Sequence, residues 1–237
     1  MATDVKNDAN LGTNLIAFYK LEETSGTRVD EVSAQNLTDN NTVTNEAAKQ
    51  GNGAVFVIAN TEYLSGGPAA SSLGSTWTVA GWFKISNVAT LQCLWSFAQN
   101  IFINISATNL RLQIDDNGAN RIDSSATTRS NGTFYHIAVT SSGTAAGNTK
   151  IWINGTQDDS GTAINVAIDD GNFGIGSQNS AERFFGGTAD EVGLWSKVLT
   201  QSQIQELYNS GSGIPWDAGG ATATGNSHNN LQLLGVS

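Results

Sequence analysis

Proton-transfer chemistry would fall to carboxylates, which this chain often carries side by side, as in Glu22-Glu23, Asp115-Asp116, Asp158-Asp159, Asp169-Asp170 and Asp190-Glu191. Two carboxylates hydrolyse a glycoside when one protonates the leaving oxygen and the other attacks or activates water. On a strand this requires acids at alternate positions, because adjacent residues face opposite sides. No Glu-x-Asp-x-Glu alternation occurs. The chain is therefore expected not to be an enzyme. His136 lies inside an apolar run, where a structural role is expected, and His228 lies near the C-terminal end. Cys93 is the single cysteine and cannot form a disulfide within its own chain. Its setting, Leu91-Gln92-Cys93-Leu94-Trp95, suits a small buried hydrophobe. No phosphate-binding loop, dinucleotide fingerprint or zinc-spaced Cys/His cluster is present.

Recognition without catalysis calls for an aromatic platform beside amides or carboxylates. Trp77, Trp82, Trp152 and Trp195 fall in strand-like runs and are expected in the core. The loop from Gln178 to Phe185 offers Asn179, Arg183, Phe184 and Phe185 as ligand-binding candidates. Its paired aromatics would equally suit a subunit contact. Trp216 with Leu231, Leu233 and Leu234 are candidates for assembly, though Trp216 could instead dock the tail onto the domain.

These residues must be positioned by strands. Trp77 to Ile85 alternates Val79, Phe83 and Ile85 on one side with Ala80 and Trp82 on the other, so a central strand covered on both faces is expected. Further strands are expected at Leu15–Leu21, Ala54–Ile58, Glu62–Ser65, Leu91–Phe97, Ile101–Ile105, Leu110–Ile114, Thr133–Thr140, Lys150–Ile153, Asn172–Gly176 and Thr188–Trp195. Asp116-Asn117-Gly118 and Asn154-Gly155 read as turns. Glu46-Ala47-Ala48-Lys49 reads as one helical turn at most. The one convincing helix spans Thr200 to Tyr208, with Thr200 and Gln203 in a capping-box pattern and Gly211 as its stop. Ten or more strands with a single helix indicate an all-β antiparallel sandwich. The expected organisation is an N-terminal arm over 1–12, the sandwich over 13–211 and a C-terminal tail over 212–237.

Composition agrees. Gly is abundant at 26 residues, Pro numbers 2, and charged residues are 14%, well below the usual share of about a quarter. The formal charge of −10, without a Lys/Arg cluster, makes nucleic acid and anionic membranes poor partners. The start of the chain lacks the apolar core of a signal peptide, and no apolar run reaches the length of a membrane helix. Synthesis in the cytosol without a cleaved signal is expected.

The order of blocks then carries a resemblance. Leu15–Leu21 is followed by Glu22-Glu23-Thr24-Ser25-Gly26-Thr27, Asp30 and Asn36-Leu37-Thr38. Next come Gly51-Asn52-Gly53-Ala54-Val55-Phe56, Glu62-Tyr63-Leu64 and Trp77-Thr78-Val79-Ala80-Gly81-Trp82-Phe83-Lys84. Last come Phe134–Thr140, Ile151-Trp152-Ile153-Asn154-Gly155 and Ala189-Asp190-Glu191-Val192 through Trp195 to the helix. Over residues 14 to 211 the chain resembles the laminin-G-like, concanavalin-A-like jelly-roll family. The resemblance implies a jelly-roll sandwich whose closing helix covers one end. It also implies a calcium site drawing on Asp30 and Asp190, with Asn36 beside them, although the loop Asp30-Glu31-Val32-Ser33-Ala34-Gln35-Asn36 lacks the family's usual glycine. Similar domains occur in bacteriophage virion proteins and in carbohydrate-binding modules. The expected role is accordingly a non-catalytic virion structural or decoration protein on a capsid or tail, made in the host cytoplasm. It would contact other virion subunits or itself as a homo-oligomer, and cell-surface glycans. The alternative is a lectin or adhesin module of an extracellular bacterial protein, and a glycoside hydrolase stands further off.

Overall fold

The structure is a computed structural model that describes residues 4–97, 101–105, 110–114, 120–124, 129–143, 145, 147–160, 171–180 and 182–217. The strands run β1 Leu15–Tyr19, β2 Thr38–Asn40, β3 Thr44–Ala47, β4 Asn52–Phe56, β5 Tyr63–Ser65, β6 Trp77–Ile85, β7 Gln92–Phe97 and β8 Ile101–Ile105. They continue with β9 Leu110–Ile114, β10 Asn120–Asp123, β11 Phe134–Ser141, β12 Thr149–Ile153, β13 Thr156–Ser160, β14 Phe173–Ile175 and β15 Gly187–Trp195, and helix α1 covers Gln201–Tyr208. They form two antiparallel sheets. One has eight strands in the order β13-β12-β11-β6-β15-β4-β3, with β1 also paired to β15, and the other has seven in the order β10-β9-β8-β7-β14-β5-β2.

The alternation along β6 is realised. Trp77, Val79, Phe83 and Ile85 enter the core between the sheets, while Ala80 belongs to a second apolar cluster on the outer face. The inter-sheet core also takes Trp95, Phe97, Ile101, Ile103 and Ile105 from the seven-stranded sheet and Ile137, Val139, Ile151, Val192 and Leu194 from the other. The four tryptophans expected inside, Trp77, Trp82, Trp152 and Trp195, are all buried.

Helix α1 begins with both bonds of the capping box, Gln203 N–H to the Thr200 hydroxyl and Thr200 N–H to the Gln203 side chain. It stops at Asn209, which takes the left-handed conformation, and Gly211 ends a following 3-10 turn. Ile204 and Leu207 pack on Ala80, Ala138 and Trp152, so the helix covers the outer face of the eight-stranded sheet rather than one end.

That cluster also takes in Val5, Leu11, Phe18, Trp195, Ile214 and Trp216. The segment read as an arm is thus packed on the sandwich. The Trp195 indole N–H donates to the Leu11 carbonyl at 2.7 Å. Val5 N–H donates to the Pro215 carbonyl at 3.0 Å, Lys6 N–H to the Trp216 carbonyl at 2.9 Å, and Lys6 pairs with Asp217 at 2.8 Å. Trp216 stacks on Phe18 with ring centroids 5.0 Å apart, which docks this end of the chain onto its own domain. Leu231, Leu233, Leu234, His228 and the turn Asp116-Asn117-Gly118 lie outside the described residues.

One further expectation needs correction. Glu46 and Ala47 belong to β3, an edge strand paired with β4, and not to a helical turn. The polar stretch after β1 also contains β2, paired with β5.

Candidate functional site

The loop after β14 folds back as a small hairpin. Gln178 N–H donates to the Glu182 carbonyl at 2.9 Å, Glu182 N–H to the Gln178 carbonyl at 3.2 Å, and Phe185 N–H to the Gly176 carbonyl at 2.8 Å. The bend requires positive φ at Gly176, Asn179, Ser180 and Arg183. Asn tolerates that region better than most side chains, because it bonds locally. The hairpin is sewn to the outer side of β7. Gly176 N–H reaches the Leu94 carbonyl at 3.0 Å, Cys93 N–H reaches the Arg183 carbonyl at 2.7 Å, and the Ser96 hydroxyl reaches the Ser177 carbonyl at 2.8 Å. Gly186 N–H is taken by the buried Gln92 side chain at 2.7 Å.

Beside the hairpin opens a cleft of about 590 Å³. Ser65, Ser96, Ser177 and Ser180 contribute hydroxyls to its lining, Asn172 and Asn179 contribute amides, and glycines and Ala69 keep the walls low. None of its described lining residues is charged. Tyr63, two residues from Ser65 and so on the same side of β5, packs against Phe184 with centroids 6.2 Å apart. Both rings are half-buried, leaving an aromatic edge next to the cleft. Hydroxyls, amides and an aromatic face can hydrogen-bond and stack on a polyhydroxylated ring.

The loop candidates therefore separate. Asn179 lines the cleft and Phe184 stands beside it. Arg183 lies over the Phe102 ring, its guanidinium carbon 5.5 Å from the centroid. Phe185 is fully buried, packed on Phe56 at 5.6 Å and Phe83 at 6.2 Å, and offers no platform. Ser96, Asn172 and Ser177 were not anticipated. Ser96 had a signal, as the polar residue between Trp95 and Phe97 in a strand that otherwise reads as core.

Asp30 and Asn36, expected at a calcium site, are taken up by hydrogen bonds within their own loop. One Asp30 oxygen accepts N–H bonds from Phe18 and Val32, and the other accepts from Ser33 N–H, the Ser33 hydroxyl and Gln35 N–H. Asn36 gives its side-chain oxygen to Asp30 N–H at 2.9 Å. Asp190 accepts Lys49 and Gln50 N–H bonds, both at 2.9 Å. Both oxygens of Asp30 are thus taken by donors, whereas the buried Asp190 Oδ1 has no hydrogen-bond partner. Among the described residues no group of three His, Cys, Asp or Glu side chains is placed to hold a metal. Calcium added to chelator-treated protein is expected to leave the melting temperature unchanged, as differential scanning fluorimetry would show; a calcium-dependent rise would restore the site.

The remaining titratable groups lie under the opposite face. β15 bulges after Asp190, between its pairing with β4 and its pairing with β1, and Glu191 takes φ +50 there. Glu191 and His136 both line a small pocket with room for a single water, about 10 Å³, walled by Val5, Phe18, Trp82, Trp195, Leu207 and Ile214. The Glu191 Oε2 and His136 Nδ1 atoms there have no hydrogen-bond partner, so His136 is structural but not fully satisfied. Burial pushes the His136 imidazole down to about 3 and keeps it neutral. Burial also raises the Asp190 carboxyl to about 7, and lifts Glu191 well above the carboxylate range with help from Asp190 and Glu22. Cys93 is fully buried and its thiol is pushed up by burial, which removes it as a nucleophile.

Comparison with known proteins gives the same fold. The binding domain of Paraclostridial mosquitocidal protein 1 superposes with a TM-score of 0.68 at 16% identity, over 83% of this chain and 52% of that one. Domain 4 of an extracellular arabinanase from Geobacillus stearothermophilus, solved with arabinotriose, gives 0.60 at 21% identity over 81% and 96%. A sialidase of Trypanosoma rangeli gives 0.66 at 15% identity over 86% and 34%. The chain thus spans about half of the first protein and a third of the last. No curated protein matches it. The model of the concanavalin A-like lectin/glucanases superfamily matches residues 59–205, well over half of the chain, and the chain belongs to that family.

Proposed function

We propose that this chain is a non-catalytic carbohydrate-binding module that holds a glycan in the cleft between the Gly176–Phe185 hairpin and β5. The observation that carries this reading is the lining itself. Hydroxyls and amides surround a cleft of about 590 Å³, the Tyr63–Phe184 pair stands near it, and none of the described lining residues is a carboxylate. A glycosidase needs two acids flanking the bond it breaks. Asp190 and Glu191 lie instead on the far side of the sandwich, within the eight-stranded sheet. Membership of a lectin-containing family supports the reading, as does the arabinotriose complex of the arabinanase domain.

A glycan array tests it. Binding to at least one glycan class is expected, and a blank array overturns it. Asn179→Gly removes the amide while tolerating the positive φ, and is expected to weaken binding about tenfold, in line with one or two lost hydrogen bonds. Ser65→Trp fills the cleft and is expected to abolish binding with little change in melting temperature.

The wider role we propose is display of this module on a larger particle such as a virion. What favours it is polarity. The segments around Val5 and Pro215 are hydrogen-bonded to each other on the outer face of the eight-stranded sheet, whereas the cleft opens on the outer face of the other. A module held at the first face presents the second to solvent. Mass spectrometry of purified particles is expected to recover the chain in stoichiometric amount, and its absence from them would leave the lectin or adhesin reading.

A further inference from the structure

Phe102 and Asn104, two residues apart on β8, share the outer side of the seven-stranded sheet, under the hairpin. Asn104 stands opposite Cys93, the residue whose N–H anchors Arg183. Both side-chain atoms of Asn104 are buried and have no hydrogen-bond partner. The same holds for Gln178 Oε1 and for Arg183 Nη1. Asn104 is 0% and Gln178 5% exposed. Arg183 has no ion-pair partner among the described residues, and its guanidinium lies over the Phe102 ring. A buried polar group without a partner is destabilising, and more so when charged. Four such atoms, borne by the hairpin and by β8, are destabilising, and a ligand that supplies the missing partners would relieve them.

The types of the atoms define that ligand. Arg183 Nη1 and Asn104 Nδ2 are donors, one of them charged, and suit a carboxylate. Asn104 Oδ1 and Gln178 Oε1 are acceptors and suit neighbouring hydroxyls. We propose that Arg183, Asn104 and Gln178 form a carboxylate subsite beside the cleft, so that the module selects acidic sugars, such as uronic or sialic acids, over their neutral counterparts. This rests on the carbohydrate-binding reading above. Arg183 is half-buried as a residue, but its Nη1 is covered like the two amides, so a carboxylate engages all three side chains only as the hairpin shifts. With a formal charge of −10 the protein as a whole repels anions, so the preference is a local property of Arg183 and not of the surface at large.

The test is calorimetric titration of the full chain with matched pairs: oligogalacturonate against neutral galactan oligosaccharide, and sialyllactose against lactose. At least tenfold tighter binding of an acidic member is expected, and the pair that shows it identifies which acid is taken. Arg183→Gln is expected to abolish that preference while leaving the residual affinity for the neutral sugar. Arg183→Lys, which keeps the charge but loses the planar fork, is expected to fall between. Equal affinity within both pairs, or a preference that survives in Arg183→Gln, overturns the subsite while leaving the carbohydrate-binding reading intact. Failure of all four sugars, together with a blank glycan array, overturns both. Unchanged circular dichroism and melting temperature separate these outcomes from misfolding.

Discussion

Gly187→Ala is expected to leave no folded protein. Gly187 opens β15 with φ +153, opposite Ile85 of β6. A Cβ built there stands 1.9 Å from the Lys84 carbonyl oxygen and 2.8 Å from the Phe185 ring, where an ordinary contact is 3.4 Å or more. Neither neighbour can retreat. Lys84 belongs to β6, which is paired on its other side with β11, and Phe185 is packed between Phe56 and Phe83. The collision can be relieved only by separating β6 from β15 in the middle of the eight-stranded sheet. Domains of this kind are stable by about 5–15 kcal/mol in total, so a backbone clash at such a position consumes most of the margin. Gly132→Ala is the control. Its φ is also positive, at +72, but nothing lies within 4 Å, and a cost of only about 1 kcal/mol is expected. Soluble yield and denaturant midpoints measure both, and similar midpoints for the two variants would refute the steric account.

His136→Phe is expected to make the protein gain stability steeply on mild acidification. The folded imidazole sits at about 3 against 6.5 when free, so the unfolded chain binds the extra proton between those values. The contribution of His136 is thus lost as pH falls below 6.5, on the order of 4 kcal/mol by the bottom of the window. Asp190 has the opposite sign. Its carboxyl is raised from 3.8 to about 7, so the folded chain binds the extra proton. Its stabilisation is full below 3.8 and is lost as pH rises through 7, again on the order of 4 kcal/mol. Glu191, raised in the same direction, adds to Asp190. From pH 7 down to about 4.5 the imidazole therefore offsets one of the two carboxyls in the wild-type chain. Removing the imidazole exposes their combined slope, steeper by about 1.4 kcal/mol per pH unit. Asp190→Asn should shift the slope the other way. Urea midpoints at pH 4.5, 5.5 and 7 are the measurement, and parallel profiles for wild type and His136→Phe would defeat the prediction.

How much of this was legible in the sequence depended on whether a residue's neighbours were local. The alternation in β6 and the capping box at Thr200 are short-range patterns, and both are realised. β3 was misread because Glu-Ala-Ala-Lys favours a helix locally, while pairing with β4 along the sheet edge overrides that propensity. Adjacent Phe184 and Phe185 could not be told apart, since one faces solvent and the other the core according to a hairpin whose register the side chains alone do not encode. Asn179, Arg183 and Phe184 stand together in one loop of the sequence, whereas a strand-borne neighbour such as Asn104 does not stand out. Asn104 lies in Ile-Phe-Ile-Asn-Ile, where one amide among apolar residues carries no information about which face it joins until β7 and the hairpin are placed. The bulge that buries Glu191 is equally non-local, because it arises where β15 exchanges β4 for β1.

The bonding of Val5 to Pro215 has a topological consequence. Between those residues the chain makes a complete excursion and returns to within a hydrogen bond of its departure. A unit of that kind can be spliced into a surface loop of an unrelated host without prising the host open, because entry and exit need only the gap that a loop already has. In a chain trimmed to this unit, the segments at Val5 and Pro215 can equally be joined by a short linker and new ends cut elsewhere, which makes the sandwich portable as a circular permutant, with the cleft facing away from the graft.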